Sequence, residues 1–457
     1  MDDVTLALRQ LREAQQNYKV YRDYYNGRQR MAFASDSFRQ AFAGQVREVV
    51  YNRCAAVVDS MVDRLRITGW QDASGAEDAT SPLEQAALDI WIASRLDLRH
   101  LDAHNEAMTC GDAYLIVWPN METGEPQIAV QQAHQIAVVR DDEAPDRIVL
   151  AVKAWRITRG PLAGRWRITT YAPDVIRRWI TTGSVDDLPS NSGTLVPYED
   201  EAAAETPNPW GVTPVFGLHN ASGMDLRGVS ELRDLIPLQD GVNKSIADML
   251  VAMEYVAYPQ RWVTGVEVPI DPETGRPMKP FKPGVDRVWI VGDEGAQMGE
   301  FAQGDMTQFI GVQQEWDAKI SRVSRVPVHW LGMTGSIPSG EALKVSEAPF
   351  VSKMQDRQAD FGSVWSDAMA LALQMGGYGV ADASTIAPVW ANAETRSESD
   401  FWRTAELKAR AGVPQQQIWR EAGYTPGQID EFEQQAADAQ LAQAQAFGAA
   451  FDRGVVV

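Results

Sequence analysis

The chain has 457 residues, 45% hydrophobic and 23% charged, with 62 acidic against 42 basic residues and a formal net charge of −20. That composition excludes disorder as the default and leaves length for about two to four domains with real cores. The acidic balance excludes a protein that coats nucleic acid electrostatically, though not one that encloses it without gripping it. Two cysteines, Cys54 and Cys110, supply no disulfide framework and point to a reducing, intracellular origin. No signal-type segment and no run of about 18 apolar residues marks secretion or a membrane span.

Residues 2–25 read as a helix whose face carries Leu6, Leu8, Leu11, Ala14, Tyr18, Tyr21 and Tyr25, stopped by Asn26-Gly27. The tyrosine run YKVYRDYYNG reads first as a packing face, with a binding site as the alternative. A second helix is predicted over about 45–66. Its Asn52 and Asp59 either bond a neighbouring segment or face water, and ITGW after it reads as a short strand. A polar loop at 71–81 leads to one helix over 82–108, with Leu83, Leu88, Ile90, Trp91, Ile92, Leu96, Leu98 and Leu101 apolar.

The pattern turns to strands after Gly111: 113–118, 127–131, 135–140, 147–158 and 165–171, separated by turn signals, predict an antiparallel sheet or meander. A proline-rich loop with the acidic run YEDEAAAE follows at 182–209. Two helices are predicted next, one from near Val229 through Pro237 to Tyr255 and one over 305–325 with Asp305 as N-cap. Between them, strands at 261–268 and 287–291 make an arm with a small β head. Such a head buries too little apolar surface alone, so neighbouring copies are expected to complete it.

A Gly/Pro/Ser-rich loop then feeds the longest helical pattern of the chain, over 341–375, about 50 Å at 1.5 Å per residue. Ser339 reads as its N-cap, Glu341 as a first-turn acid, and Pro349 as a kink or break. Gly376-Gly377 stops it. An extended piece at 386–390 and helices at 399–411, 414–421 and 426–447 complete the chain. The last, rich in Ala and Gln, reads as a weak helix, an oligomer-packing helix or a frayed tail.

Catalytic constellations are poorly supported. His100 and His104 share a helix face near Cys110, which is either a partial metal site or an ordinary helix face. The segment GSIPSG at 335–340 has the glycine spacing of a phosphate loop, but Glu341 stands where that loop needs its lysine. Asp141-Asp142-Glu143 and Asp186-Asp187 are what a metal-dependent nuclease would use, in contexts that equally suit solvated turn acids. No catalytic residue, metal site or cofactor is expected.

Three stretches, in this order and at these separations, carry a resemblance over nearly the whole chain: YRDYYNG with YNRCAAVVDSMVDRLRITGW; GVSELRDLIPLQDGVNKSIADMLVAMEYVAYPQRWVTG; and RVPVHWLGMTGSIPSGEALKVSEAPFVSKMQDRQADFGSVW. The sequence resembles the portal proteins of tailed double-stranded DNA bacteriophages, in particular the siphophage type. The resemblance implies an α+β, predominantly helical portal fold in a ring of twelve subunits at one capsid vertex. It implies a wing at 1–225, stem helices at 226–257 and 305–325 with a clip at 258–304 between them, a tunnel loop at 326–339, a long helix at 340–379 and a crown at 380–457.

The implied role is a non-enzymatic channel for packaging and ejecting double-stranded DNA, without sequence preference. The implied partners are the large terminase, head-completion or adaptor proteins, and major capsid and scaffolding proteins, with no membrane; assembly is expected in the host bacterial cytoplasm and residence in the virion. Carried onto this chain, Trp330, Leu331, Met333, Thr334, Ser336, Ile337 and Ser339 form the tunnel-loop edge. Arg261, Trp262, Arg287 and Trp289 fall in the clip toward its partners. Arg322, Arg325 and Lys344 flank the loop and either touch phosphates transiently or make inter-subunit ion pairs with stem acids. Two other readings stay open: a structural ring or adaptor without a DNA channel, and the nuclease.

Overall fold

A computed structural model describes residues 2–30, 50–72, 81–199, 203–257 without 222, 224 and 225, 261–265, 270, 272, 275, 295–300, 306–332, 339–379, 382–394, 398–422, 424, 429, 431–437 and 439. Helix α1 (Asp3–Tyr25) starts where the Asp2 carboxylate accepts the Thr5 N–H at 2.7 Å and ends before Gly27 at φ +66°. Its Ala7, Leu8 and Leu11 are buried against an antiparallel sheet with the order β4 (Ile136–Arg140), β5 (Ile148–Arg156), β6 (Trp166–Tyr171), β7 (Val175–Thr181), β8 (Leu195–Pro197); β9 (Glu205–Pro207) also pairs with β7. Strand β7 is not anticipated by the sequence pattern, because Arg177 and Arg178 interrupt the apolar alternation of VIRRWIT. Strands β8 and β9 lie within what reads as loop.

A second layer pairs β10 (Val215–His219), β2 (Asp112–Pro119) and β3 (Pro126–Gln132). Its connection to the preceding helix is close. Gly111 sits at φ +94°, and a Cβ on Gly228 would fall 1.8 Å from the Gly111 carbonyl oxygen, so these two backbones meet only as glycines. The buried Asp112 carboxylate ties the layer to α1, accepting from Tyr18 Oη at 2.7 Å, His219 Nδ1 at 2.5 Å and Gly228 N at 3.1 Å. Burial alone would raise that carboxyl; the bonds from His219, Tyr18 and Gly228 hold it below its ordinary value.

The main core gathers around the long helix α7 (Gly340–Met375). Its 36 residues span about 54 Å and pass through Pro349 as one element, so of the kink or break expected there the break does not occur. Ser339 caps its start, accepting from Ala342 N at 3.4 Å, and Gly376-Gly377 ends it with Tyr378 N donating to Leu373 O at 3.1 Å. Phe350, Met354, Phe361, Trp365, Ala368 and Met369 are fully buried, whereas Val345 is exposed. The helix therefore leaves the core at its N-terminal end.

Four further sequence expectations are corrected or narrowed. The helix of 45–66 is α2 (Arg53–Val62); Asn52 is its N-cap, and 45–49 lie outside the described residues. The single helix of 82–108 is two, α3 (Pro82–Ala93) and α4 (Leu96–Cys110), because Arg95 turns left-handed at φ +56° and Ser94 Oγ accepts from Ile128 N. The helix placed from Val229 begins instead as α5 (Ile236–Ala257), with Pro237 in its first turn where a missing N–H costs nothing. Helix α6 (Thr307–Ser324) has Met306 at its N-cap position, and Asp305 lies outside the described residues.

Strand β1 (Ile67–Asp72) pairs antiparallel with β13 (Ile386–Trp390), which brings the segment after α7 back into the N-terminal core. Helices α8 (Glu398–Arg410) and α9 (Gln415–Glu421) follow. Of the helix predicted over 426–447, residues 429, 431–437 and 439 are described, all helical.

At the meeting of β1, α3, α4, α7 and β13, aromatic rings pack edge to face or stacked: Trp70 on Trp91 at 5.5 Å, Trp91 on Trp365 at 5.2 Å, and His104 on Phe361 at 5.4 Å. The His104 tautomer follows from its partners. Trp365 Nε1 donates to Nε2 at 2.9 Å, so the proton sits on Nδ1 and is donated to Leu65 O at 2.8 Å. His100 is likewise engaged, its Nδ1 2.7 Å from Leu96 O. Both rings are occupied structurally, and among the described residues no three His, Cys, Asp or Glu side chains converge as a metal site.

Burial, reinforced by the neighbouring His100, depresses His104 to about 3. The unfolded imidazole, with an ordinary value near 6.5, takes up a proton that the folded one refuses, so stability falls as pH drops from about 6.5 toward 3. Urea unfolding at pH 6.5 and pH 5 is expected to show a loss that shrinks by up to about 2 kcal/mol in His104→Phe. Identical pH dependence in the two proteins would contradict the assignment.

Candidate functional site

Where α6 ends, Arg325 adopts the left-handed conformation at φ +64° and the chain turns through Val326 and Pro327, both buried, into a one-turn 3-10 helix (Val328–Leu331). Several bonds fix this entry. Ser321 Oγ donates to Val326 O at 2.7 Å, Val326 N donates to Ser324 Oγ at 3.2 Å, and His329 Nε2 lies 3.4 Å from Glu347 Oε1 on α7. Trp330 packs edge to face on Phe350 at 5.0 Å and lies under the Arg64 guanidinium at 5.3 Å. Leu331 is buried at 1% exposure. The loop is thus anchored in the core at one end and capped into α7 by Ser339 at the other.

Behind it lies a buried charge network. Lys353 Nζ donates to Glu231 Oε2 at 2.5 Å and to Ser324 O at 3.1 Å, and Arg357 Nε donates to Asn220 Oδ1 at 2.6 Å. Asn220 Nδ2 completes the circuit, donating to Val229 O at 2.7 Å and to Glu231 Oε1 at 3.1 Å. Lys353 and Glu231 are 11% and 10% exposed. Burial pulls the Lys353 ammonium below its ordinary value, and Glu231 opposes that pull. One lysine therefore joins the last turn of α6, the 220–231 segment and α7.

A second junction sets α5 and α6 against α2. Arg53 and Asp317, each 12% exposed, pair at 2.7 Å. The Gln239 amide bridges α5 to the start of α2, accepting from Arg53 N at 2.8 Å and donating to Tyr51 O at 2.8 Å. Tyr24 Oη donates to Asp240 Oδ1 at 2.8 Å, and Tyr25 Oη to Asp59 Oδ1 at 2.8 Å. The tyrosine run is therefore a packing face with hydrogen-bonding tips. Between α5 and α6, the Trp316 ring lies where a Cβ on Gly241 would stand 2.7 Å away, and its Nε1 donates to Ser245 Oγ at 3.0 Å.

The residues singled out from sequence are spread over different settings. Arg322, Arg325, Ser339 and Lys344 are exposed, Trp330 is half-buried, and Leu331 belongs to the core. Met333, Thr334, Ser336 and Ile337 lie outside the described residues, as do Arg287 and Trp289. Arg261 and Trp262 stand on β11 (Arg261–Thr264), which pairs with β12 (Gln297–Glu300); the Trp262 ring occupies the space a Cβ on Gly299 would need. The Asp141 carboxylate accepts from Glu143 N at 2.9 Å in a hairpin turn, and Asp186 and Asp187 face Arg156 and Arg12. Lys353, Arg357, Glu231, Arg53, Asp317 and Gln239 are not marked as site residues by the sequence. Their only sequence signal is polarity inside apolar helical stripes.

The profile of a family described as "Phage portal protein, SPP1 Gp6-like" matches residues 8–445. A portal protein of Mycobacterium phage D29 is 22% identical over 435 residues, covering 91% of this chain and 84% of that protein. A portal protein of Mycobacterium phage L5 is 21% identical over 393 residues, covering 82% and 76%. Among solved structures, a chain from the neck of an empty gene transfer agent particle computed with C6 symmetry is 14% identical, with a TM-score of 0.46 over 83% of this chain and 89% of that one. A chain from the virion of the native gene transfer agent particle gives 14% and 0.44 over 87% and 94%.

Breaking a buried ion pair strands the surviving charge. Lys353→Met and Glu231→Leu are each expected to cost about 3–5 kcal/mol in urea unfolding, and the double variant far less than their sum. Additive losses would show that the two side chains do not act as a pair.

Proposed function

The chain belongs to the SPP1 Gp6-like phage portal protein family, and from that premise we propose that copies of it close into a twelve-membered ring around a channel for double-stranded DNA at one capsid vertex. In this reading 1–225 is the wing, α5 and α6 are the stem, 258–304 is the clip that meets terminase and later the head-completion proteins, and 380–457 is the crown. The strand β13 stays with the wing core through its pairing with β1.

The observation that carries the reading is the stem. Helices α5 and α6 pack on each other through Trp316 and Gly241, yet leave Leu250, Met253, Ile310, Val312 and Val323 exposed in the single chain. Apolar residues on both helices of one arm are what a neighbouring copy would cover.

The segment 326–339 is the proposed channel edge. Leu331 is buried and Trp330 is held against Phe350, so these two act as supports of that edge in this reading. Arg322, Arg325 and Lys344 are the proposed transient phosphate contacts. Twelve chains at −20 each sum to about −240, a field along which phosphates slide rather than adhere.

Negative-stain images of purified particles test the ring. A turbine-shaped particle with an axial hole as wide as a duplex is expected; a closed bore would make it an adaptor without a DNA channel. Lys344→Ala is expected to leave rings intact while lowering the DNA packaged or retained in a packaging assay. Wild-type packaging by that variant would remove Lys344 from the channel.

A further inference from the structure

We propose that the cleft between α4 and the free edge of β3 takes up a short extended peptide segment of a partner protein, which adds to that edge as a further strand. Among the described strands β3 ends its sheet, with β2 on one side and no strand on the other. The hydrogen-bond phase is fixed. Val117 N donates to Pro214 O at 3.0 Å, so the odd-numbered residues of β2 bond toward β10 and the even-numbered ones toward β3. Gln127, Ala129 and Gln131 stand opposite Trp118, Ile116 and Tyr114 and complete that ladder. Ile128, Val130 and Gln132 therefore direct their backbone N–H and C=O groups away from β2. The Ile128 N–H does so visibly, donating to Ser94 Oγ at 3.1 Å.

Side chains of α4 and of the turn before it shield this edge at two points. Ser94 takes the Ile128 N–H, and the Glu106 carboxylate takes the Ala133 N–H at 2.8 Å. The backbone between those points runs about 16 Å at roughly 3.3 Å per residue. Within that length the outward backbone groups of Val130 and Gln132 have no hydrogen-bond partner among the described residues. A cleft of about 650 Å³ opens there, between the 130–135 segment and the face of α4 that carries Arg99, Asp102 and Asn105. Val62, Leu101 and Val130 give it an apolar floor, and Gln131, Gln132 and Gln135 stand along its β3 side.

This lining selects its occupant. Outward N–H and C=O groups on alternate residues of an edge strand match the backbone of an extended chain, which presents its own acceptors and donors at the same spacing. Successive side chains of such a chain point to opposite faces, so every second one reaches the apolar floor while the others stay among the amides of the rim. Charge decides against a nucleic acid. Arg99 and Asp102 carry opposite charges one helical turn apart, and Glu106 is paired with Arg22. With its charges balanced, the cleft offers a polyanion no surplus of cations, and it fits an uncharged segment with an apolar residue at every second position.

The test uses the full-length protein and a fluorescein-labelled hexapeptide of alternating Thr and Val, with a counterpart methylated at every backbone amide nitrogen. Fluorescence anisotropy is expected to show saturable binding of the first and none of the second. Hydrogen exchange over residues 127–133 should slow about tenfold when the first is bound. Val130→Pro removes an N–H that lies outside the β2–β3 ladder and should weaken binding about tenfold. Gln132→Trp, at an exposed position on the rim, should fill the mouth of the cleft and weaken binding as much without lowering the melting temperature, which separates loss of the site from loss of fold. No binding, equal binding of the methylated peptide, or unchanged affinity in both variants would each overturn the proposal. So would slowed exchange over 127–133 that appears with rising protein concentration alone, because it would give the cleft to a second copy of the chain. None of these outcomes depends on the proposed DNA channel.

Discussion

The indole N–H of Trp365 donates to the bare Nε2 of His104, and the other nitrogen of that ring is spent on the Leu65 carbonyl. This pair fixes how a helix of about 54 Å lies against everything else. Apolar packing alone holds a helix to a core but tolerates rotation and sliding, because one leucine contact is much like the next. A hydrogen bond from a buried indole to a buried imidazole has a single geometry, and any slip leaves two polar atoms unpaired in a dry interior. The rings of Phe361 and Trp390 then pack on a His104 that is already oriented, and Trp91 packs edge to face on Trp365.

Three turns before Trp365 the same helix is fixed by charge. Lys353 reaches the Glu231 carboxylate and the Ser324 carbonyl together, so α7, the 220–231 segment and the end of α6 cannot move independently without stranding a buried ammonium. A hydrophobic side chain of similar volume would avoid the desolvation cost but would accept several registers. The ion pair accepts one. Arg53 with Asp317 and Gln239 repeats the device where α5 and α6 leave α2, which makes the base of the helical arm as determinate as the core it springs from.

Much of this was legible in the sequence because it depends on local chemistry. The Asn26-Gly27 stop, the Ser339 cap, the Gly376-Gly377 stop and the strand-rich middle follow from turn residues and periodicity that act within a few positions. What was not legible depends on partners far along the chain. Arg95 enters the left-handed region in a stretch whose apolar spacing reads as one helix, since Ser94 is drawn to Ile128. Strand β13 finds β1 across more than three hundred residues, and no local pattern records that choice. His100 and His104, spaced like metal ligands, take backbone and indole partners that only tertiary structure supplies. Leu331 sits in a loop-like run yet is buried, because the 3-10 turn points it back into the core.

The placement of cations bears on the proposed channel. Arg53, Lys353 and Arg357 lie inside the chain, each facing a carboxylate or an amide oxygen, and none of them can turn outward without leaving a buried acceptor unpaired. The basic residues that flank the loop in sequence, Arg322, Arg325 and Lys344, are borne on helix ends whose positions the buried network sets. A surface that carried many cations at its narrowest point would hold a polyanion through counterion release. One that carries few, in an acidic chain, would leave a duplex free to move. Such an arrangement puts the chain's tight binding into its own framework and keeps it out of the path that DNA is proposed to take.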